Sequence, residues 1–307
     1  MVTLAPARCF TREHYEAHRG LAPAPLCELV VHCLELVASL GRLGLDFRFK
    51  GGNSLLIMLE DPRRFSIDVD IATTVPKEEL VSAVGSVVAG GGPFTRWEAR
   101  QPKTKPWLPL ISFKLFFASC YAPPDEPYVM LDAVLEAPPY PGERRQVRCG
   151  ELYVADQEVE VPTVPGLIGD KLLTIGPSTL GIPLGRGKAA QRLKHVFDVS
   201  LLSRVGYDRA QVWQGLRGSQ AQEERIQQRH FDFAEIAEDT VRFCSAALEH
   251  AAPPPPETLP EATYLYEVAL GFPEFRQHLF RSNYDWQDLQ ADCRRVVELV
   301  RDLGQAN

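Results

Sequence analysis

Three aspartates, Asp68, Asp70 and Asp132, are the residues of this 307-residue chain best suited to do chemistry. Asp68 and Asp70 stand two apart in Ser66-Ile67-Asp68-Val69-Asp70, within residues 65–73, where a period of two predicts a strand. Residues two apart on a strand share a face, so both carboxylates would stand side by side. Like charges that close are costly unless a proton or a cation lies between them. Magnesium, a hard ion that takes oxygen ligands, suits that place, with manganese as its substitute. Asp132 lies in the run Tyr128 to Glu136 among Val129, Met130, Leu131, Val134 and Leu135, where burial alone accounts poorly for an acid. Three carboxylates on adjacent strands can hold two metals, which align an attacking hydroxyl and a leaving pyrophosphate for in-line displacement. A bare D-x-D also suits two solvated acids on an edge strand. Asp132 also suits a strand end or an ion pair, so the case depends on what surrounds them.

The next piece is Lys50-Gly51-Gly52-Asn53-Ser54, between a strand predicted at 45–49 and a short helix predicted at 54–60. Two glycines let a backbone approach a ligand closely. The start of the new helix offers free N–H groups and a positive dipole end to phosphate oxygens. Asn53 or Ser54 would add a side-chain donor. A plain tight turn with a Ser or Asn cap is the alternative. No G-x-x-x-x-G-K-[ST] and no G-x-G-x-x-G is present, which excludes P-loop and Rossmann readings. Ser66 alternates in phase with the aspartates, and phosphate added there would set two more negative charges beside the cations. Arg64 is a candidate phosphate contact, although an arginine in a turn is also ordinary surface.

The run FKGGNSLLIML…RRFSIDVDIAT resembles the signature of the AbiEii-type nucleotidyltransferase toxins, which include the mycobacterial MenT toxins. These belong to the DNA polymerase β-like nucleotidyltransferase superfamily. The match falls on Lys50, Gly51, Gly52, Ser54, Leu55, Arg64, Ser66, Asp68 and Asp70, and departs at Asn53, where the family more often has Thr or Ser. The resemblance extends over about residues 45–202. It implies that Asp132 is the third acid, and that Lys171 and Asp198 correspond to a later lysine and aspartate of the family. Lys171 would then meet triphosphate oxygens, and Asp198 would pair with a basic neighbour or position the nucleotide. The implied activity is magnesium-dependent transfer of a nucleoside monophosphate from an NTP to an acceptor. In some relatives that acceptor is the 3′ end of tRNA, and the implied setting is a toxin–antitoxin or phage-defence pair with a cognate antitoxin protein. Transfer to a small molecule such as an aminoglycoside, or to a protein hydroxyl, is the second reading. A non-catalytic interaction protein that kept the fold is the third.

The elements that must position these residues read as an α+β arrangement. A polymerase β-like sheet with flanking helices occupies 1–162, the expected catalytic domain. A mostly helical half, 163–307, is expected to complete the NTP and acceptor site. Helices are predicted at 24–42, 77–88, 165–175, 189–204, 208–220, 222–250, 260–281 and 284–304, and further strands at 94–99, 109–119, 127–136 and near 146–161. Gly185 to Lys194 holds Arg186, Lys188, Arg192 and Lys194 and no acid. It reads as a contact for triphosphate or RNA, or as a solvated face. Lys103, Lys105 and Lys114, with Trp107, form a weaker patch. The net charge of −7 argues against a surface coated with cations for bulk nucleic-acid binding. Seven cysteines, an odd number without metal-ligand spacing, read as reduced thiols, with Cys120 and Cys244 as buried small hydrophobes. No run of eighteen uncharged apolar residues occurs and the first residues lack a signal pattern, so a cytoplasmic protein without a membrane span is expected.

Overall fold

The computed structural model describes residues 3–100, 108–122, 124–281 and 283–305. Two compact units emerge: Met1–Pro138 with Gly142–Pro162 and His278–Ser282, and Pro139–Pro141 with Thr163–Gln277 and Asn283–Asn307.

The first unit runs α1 (Arg12–His18), α2 (Ala24–Arg42), β1 (Arg48–Lys50), α3 (Gly51–Met58), β2 (Asp68–Ala72), α4 (Lys77–Ala89), β3 (Phe94–Arg100), β4 (Leu110–Phe117), β5 (Tyr128–Val134), β6 (Gly142–Cys149) and β7 (Tyr153–Pro162). Its seven strands form one sheet in the order β3-β4-β5-β2-β1-β7-β6. The β2–β5 and β1–β7 pairs are parallel and the others antiparallel. Alternation sorts the two faces. Val69, Ile71, Phe113, Leu115, Val129, Leu131 and Ala133 are buried, while the intervening Asp68, Asp70, Ser112 and Asp132 are not.

Helix α2 is the core helix of this unit. Val30, Val31, Leu34, Leu36 and Val37 are fully buried. It is long and apolar enough to cross a membrane, and 72% of its apolar window is buried inside the protein. Glu28 and Glu35 interrupt the apolar run, which is why the sequence gives no hint of it. Both acids are buried and both act as tethers. Glu35 accepts from Leu4 N at 2.8 Å and Tyr153 Oη at 2.6 Å, and Glu28 accepts from Ser119 Oγ at 2.6 Å and Cys120 N at 2.7 Å. A buried carboxylate is tolerable only with such partners. Cys120 is therefore not a buried small hydrophobe: its loop is drawn up by the backbone while its side chain stays exposed. Cys244 is buried, as expected.

A return segment was invisible in the sequence. Residues 278–280 pair with residues 63–65 through Phe65 N to His278 O at 2.8 Å and Phe280 N to Arg63 O at 3.1 Å. Phe65 stacks on Phe280 at 4.1 Å. The helix expected to continue to 281 ends at Arg276 for this reason, and β2 begins at Asp68 rather than at 65.

The second unit is helical: α5 (Val164–Leu172), α6 (Ala189–Val205), α7 (Arg209–Gln227), α8 (Phe233–Leu248), α9 (Tyr264–Arg276) and α10 (Trp286–Gly304). The break expected at 221 falls instead at 228–232. Gly218 does not stop α7, because it is the point where the helix packs against Pro139, whose carbonyl would lie 2.5 Å from an added Cβ. The chain turns at Gln228, which is left-handed at φ 55°, and Asp232 starts α8 with a reciprocal capping box to Glu235.

His32 of α2 gives this fold a pH dependence. It is buried, stacked 3.8 Å from Phe117, and its Nδ1–H donates to Glu28 O at 2.8 Å. Burial pulls its pKa from 6.5 down to about 4, against a smaller opposing effect of that hydrogen bond. Because the folded value lies below the unfolded one, the stabilisation is complete above pH 6.5 and disappears as pH falls through 4. The loss should be on the order of 3 kcal/mol. Urea denaturation of wild type and His32→Phe between pH 7 and pH 4 will show a smaller loss in the variant; parallel curves would refute this origin.

Candidate active site

One row of side chains crosses four strands on the open face of the sheet. Lys50 is the register partner of Asp70, Asp70 of Asp132, and Asp132 of Ser112. Ser112 Oγ–H donates to Asp132 Oδ1 in a short hydrogen bond. The four residues line a cleft of about 360 Å³. Asp68 shares the face but lies one step along β2, opposite Met130 rather than Asp132, and is exposed. Two like charges in register on adjacent strands repel, and the lysine on one side and the hydroxyl on the other moderate that cost.

The donor set suits a hard divalent cation: aspartate oxygens on one face, with no competing thiolate or imidazole in the cleft lining. Among the described residues, no three Asp, Glu, His or Cys side chains are gathered into a ready three-ligand cluster. The register explains this, since Asp132 is turned to Ser112 and Asp68 is offset from the Asp70–Asp132 pair. Cys33, beneath the site, donates from Sγ to Ile67 O at 3.3 Å, just ahead of Asp68. Burial, then the Asp68 charge, pushes its thiol pKa far up, so it stays protonated.

Both glycines have a cause that only the structure reveals. Strand β1 passes into α3 without a loop, and Gly51 makes the switch at φ 72°. A Cβ on Gly51 would collide with Asp70 Oδ2. A Cβ on Gly52 would collide with Arg64 Nη2 and lie 2.8 Å from Ser66 Oγ. Glycine here admits the protein's own functional side chains to the start of α3. Arg64 is buried, with Nη1 donating to Phe65 O at 3.2 Å, so it is not a surface arginine. Asn53 and Ser54 are fully buried, their donors committed to Asp68 O at 3.3 Å and Gly51 O at 2.9 Å. Asn53 thereby binds α3 to the strand that carries the aspartates, while Ser54 closes on the first turn of α3 itself. Among the described residues no side chain caps α3, so no side chain competes for its first amides.

Within the second unit, Lys171 Nζ sits 2.7 Å from Asp198 Oδ2, and both side chains are buried. The alternative of a surface lysine beside Asp170 is thereby excluded. The four-cation stretch divides in two. Arg192 is fully buried, paired with Glu267 at 2.5 Å and donating to Ile182 O and Pro183 O. Lys194 is buried as well. Arg186 and Lys188 remain exposed, with Arg186 between two left-handed glycines, Gly185 and Gly187. The contiguous patch is therefore reduced to two cations, because the helix turns the other two inward. Of the weaker patch, Lys103, Lys105 and Trp107 lie outside the described residues, and Lys114 Nζ rests 3.9 Å from the centre of the Tyr128 ring.

Sequence reasoning missed Ser112 and the return segment 278–280. Ser112 was legible in principle, being in phase with Lys114 on a strand of period two. The return segment left no signal.

Gly51→Ala and Gly44→Ala separate backbone strain from collision. Both positions are left-handed, at φ 72° and 73°, but nothing lies within 4 Å of a Cβ at Gly44. Each variant should lose about 1–2 kcal/mol of stability. Only Gly51→Ala should also lose activity, by about 100-fold, through displacement of Asp70. Equal activity in the two variants would show that Gly51 serves the backbone alone.

The family described as "Nucleotidyl transferase AbiEii toxin, Type IV TA system" matches residues 34–299. The nucleotidyltransferase toxin MenT4 from Mycobacterium tuberculosis H37Rv superposes with a TM-score of 0.54 at 18% identity, covering 95% of this chain and 99% of that one. An antigenic nucleotidyltransferase-like protein from Paracoccidioides brasiliensis gives a TM-score of 0.42 at 13% identity, over 65% of this chain and 88% of that one. No curated protein matches. With its aspartates in register on a mixed sheet and the family match spanning most of its length, the chain belongs to the AbiEii nucleotidyltransferase toxins of type IV toxin–antitoxin systems.

Proposed function

We propose that this enzyme transfers a nucleoside monophosphate from an NTP to the 3′ end of an RNA acceptor, tRNA first among them, with magnesium. The observation that carries the reading is the row Lys50–Asp70–Asp132–Ser112 beside the uncapped start of α3. Asp68, Asp70 and Asp132 are the residues that would hold the cation. Once bound, it would polarise the α-phosphoryl group and make the acceptor hydroxyl more acidic.

The acceptor oxygen forms a bond to the α-phosphorus, the bond from that phosphorus to the α,β-bridging oxygen breaks, and pyrophosphate leaves. We assign the hydroxyl proton to Asp132, whose carboxylate Ser112 holds in one orientation. The amides of Gly51 and Gly52, with Lys50, are assigned to triphosphate oxygens. Arg64 and Ser66, packed against Gly52, support that turn and add charge and a hydroxyl to it. Arg186 and Lys188 offer exposed cations to NTP or RNA phosphates. Lys171 is assigned to the nucleotide, with Asp198 holding its ammonium group. Membership of the family implies an antitoxin as the cellular partner.

Incubation with each α-labelled NTP, magnesium and total tRNA should label tRNA with wild type and not with Asp68→Ala/Asp70→Ala. Labelling of a protein or small molecule alone would remove RNA as acceptor, and absence of magnesium-dependent NTP binding would remove the transferase reading.

The Lys171–Asp198 pair has its own test. Lys171→Met should cost about 3–5 kcal/mol by removing the cation paired with a buried carboxylate. The double variant Lys171→Met/Asp198→Leu should regain most of that stability and still fail to label acceptor. Restored labelling in the double variant would make the pair purely structural.

A further inference from the structure

Two buried donors from different helices hold the backbone that carries Asp68. Cys33 of α2 donates from Sγ to Ile67 O at 3.3 Å, and Asn53 of α3 donates from Nδ2 to Asp68 O at 3.3 Å. Both side chains belong to residues that are 0% exposed. Two consecutive carbonyls are thus taken from beneath at the point where β2 starts, since Asp68 is its first residue. A strand end opens more readily than a strand centre. The Asp68 residue is itself exposed, so the position of its carboxylate follows that of its backbone.

That position matters because Asp68 lies opposite Met130, one step along β2 from the Asp70–Asp132 pair. To share a cation with the pair, its carboxylate has to be held within a narrow range. A misplacement of about 1 Å in such a group is enough to impair a site.

Asn53 carries the sign of a residue kept for this purpose. Its Oδ1 is buried and, among the described residues, has no hydrogen-bond partner. A stranded buried acceptor lowers stability. Leucine has the same branching and no polar atom to strand. Enclosed as it is, the amide also meets no phosphate, which removes the role first expected at position 53. What accounts for an amide here is the carbonyl that its Nδ2 holds.

We infer that Asn53, assisted by Cys33, is a positioning residue for the cation: the two donors fix the backbone at 67–68 so that Asp68 reaches the ion it shares with Asp70. The assignment deepens the transferase reading, from which it takes Asp68 as a cation ligand. Asn53 then acts against stability and in favour of cation affinity.

The test titrates Mn²⁺, which replaces magnesium at oxygen sites and is counted as free ion by electron paramagnetic resonance, into the full chain without nucleotide or acceptor. Asn53→Leu should keep a urea midpoint at or above that of wild type while its Mn²⁺ affinity falls about tenfold. Asn53→Ser, with a residue type that the family favours, should lose affinity by about the same factor. Cys33→Ala should lose about threefold, and Cys33→Ser, which keeps a donor, should bind as wild type does. Asp68→Asn should bind Mn²⁺ more weakly, and adding Asn53→Leu to it should bring no further loss, because both changes act on one ligand. Unchanged Mn²⁺ affinity in Asn53→Leu, or its full loss repeated in the Asp68→Asn background, would overturn the positioning role and leave the transferase reading untouched. Equal Mn²⁺ affinity in wild type and Asp68→Asn would remove Asp68 from the cation site and overturn both assignments. If Asn53→Leu does not fold, Asn53→Ser, alone and with Asp68→Asn, decides by the same criteria.

Discussion

The register of β2 against β5 is the constraint on which the site depends. Parallel pairing places Asp70 directly beside Asp132, and β1 and β4 add Lys50 and Ser112 to the same row. A slip of β2 by one residue would turn Asp68 and Asp70 into the core and bring Val69 and Ile71 to the open face. The apolar cost of such a slip fixes the register, and the register then forces the like charges together. Stability of the core is in this way the source of an electrostatic tension that a bound cation would relieve.

Helix α2 shows how that register is supported from behind. Its apolar residues fill the core, and its polar ones are tethers rather than surface. Glu35 reaches the N-terminal segment and β7, Glu28 holds the loop after β4, and Cys33 meets the backbone just ahead of Asp68. Each buried acid is satisfied by donors from a distant part of the chain. The helix therefore ties the N-terminal segment, β7, the loop after β4 and the approach to β2 to one core.

The second unit uses buried charge in the same manner. Arg192 and Glu267 pin the 182–185 loop, Asp239 takes Ser178 N, Thr179 N and Tyr264 Oη, and Asp292 takes Ser200 Oγ, Arg204 and Tyr284 Oη. Such buried charges are tolerated because each has partners across the unit. They also decide which cations face solvent, leaving Arg186 and Lys188 outside while Arg192 is buried against Glu267 and Lys171 against Asp198.

The sequence by itself determined the parts of the molecule that follow from local periodicity and from residue type. Period two put Asp68 and Asp70 on one face and marked the strands around Phe94, Leu110 and Tyr128, and helical spacing marked α2, α4, α6 and α10. The run from Lys50 to Asp70 was specific enough to carry the family. Tertiary structure alone decided the rest, because each remaining feature is a contact between residues far apart in the chain. Only packing could show that Gly51 and Gly52 make room for Asp70 and Arg64, that Gly218 is a helix contact and not a helix end, and that 278–280 returns to residues 63–65. Burial of Lys171 and Arg192 likewise depends on partners, Asp198 and Glu267, that lie 27 and 75 positions away. A side chain's type states what it can do; whether it is free to do it is settled by what the fold sets against it.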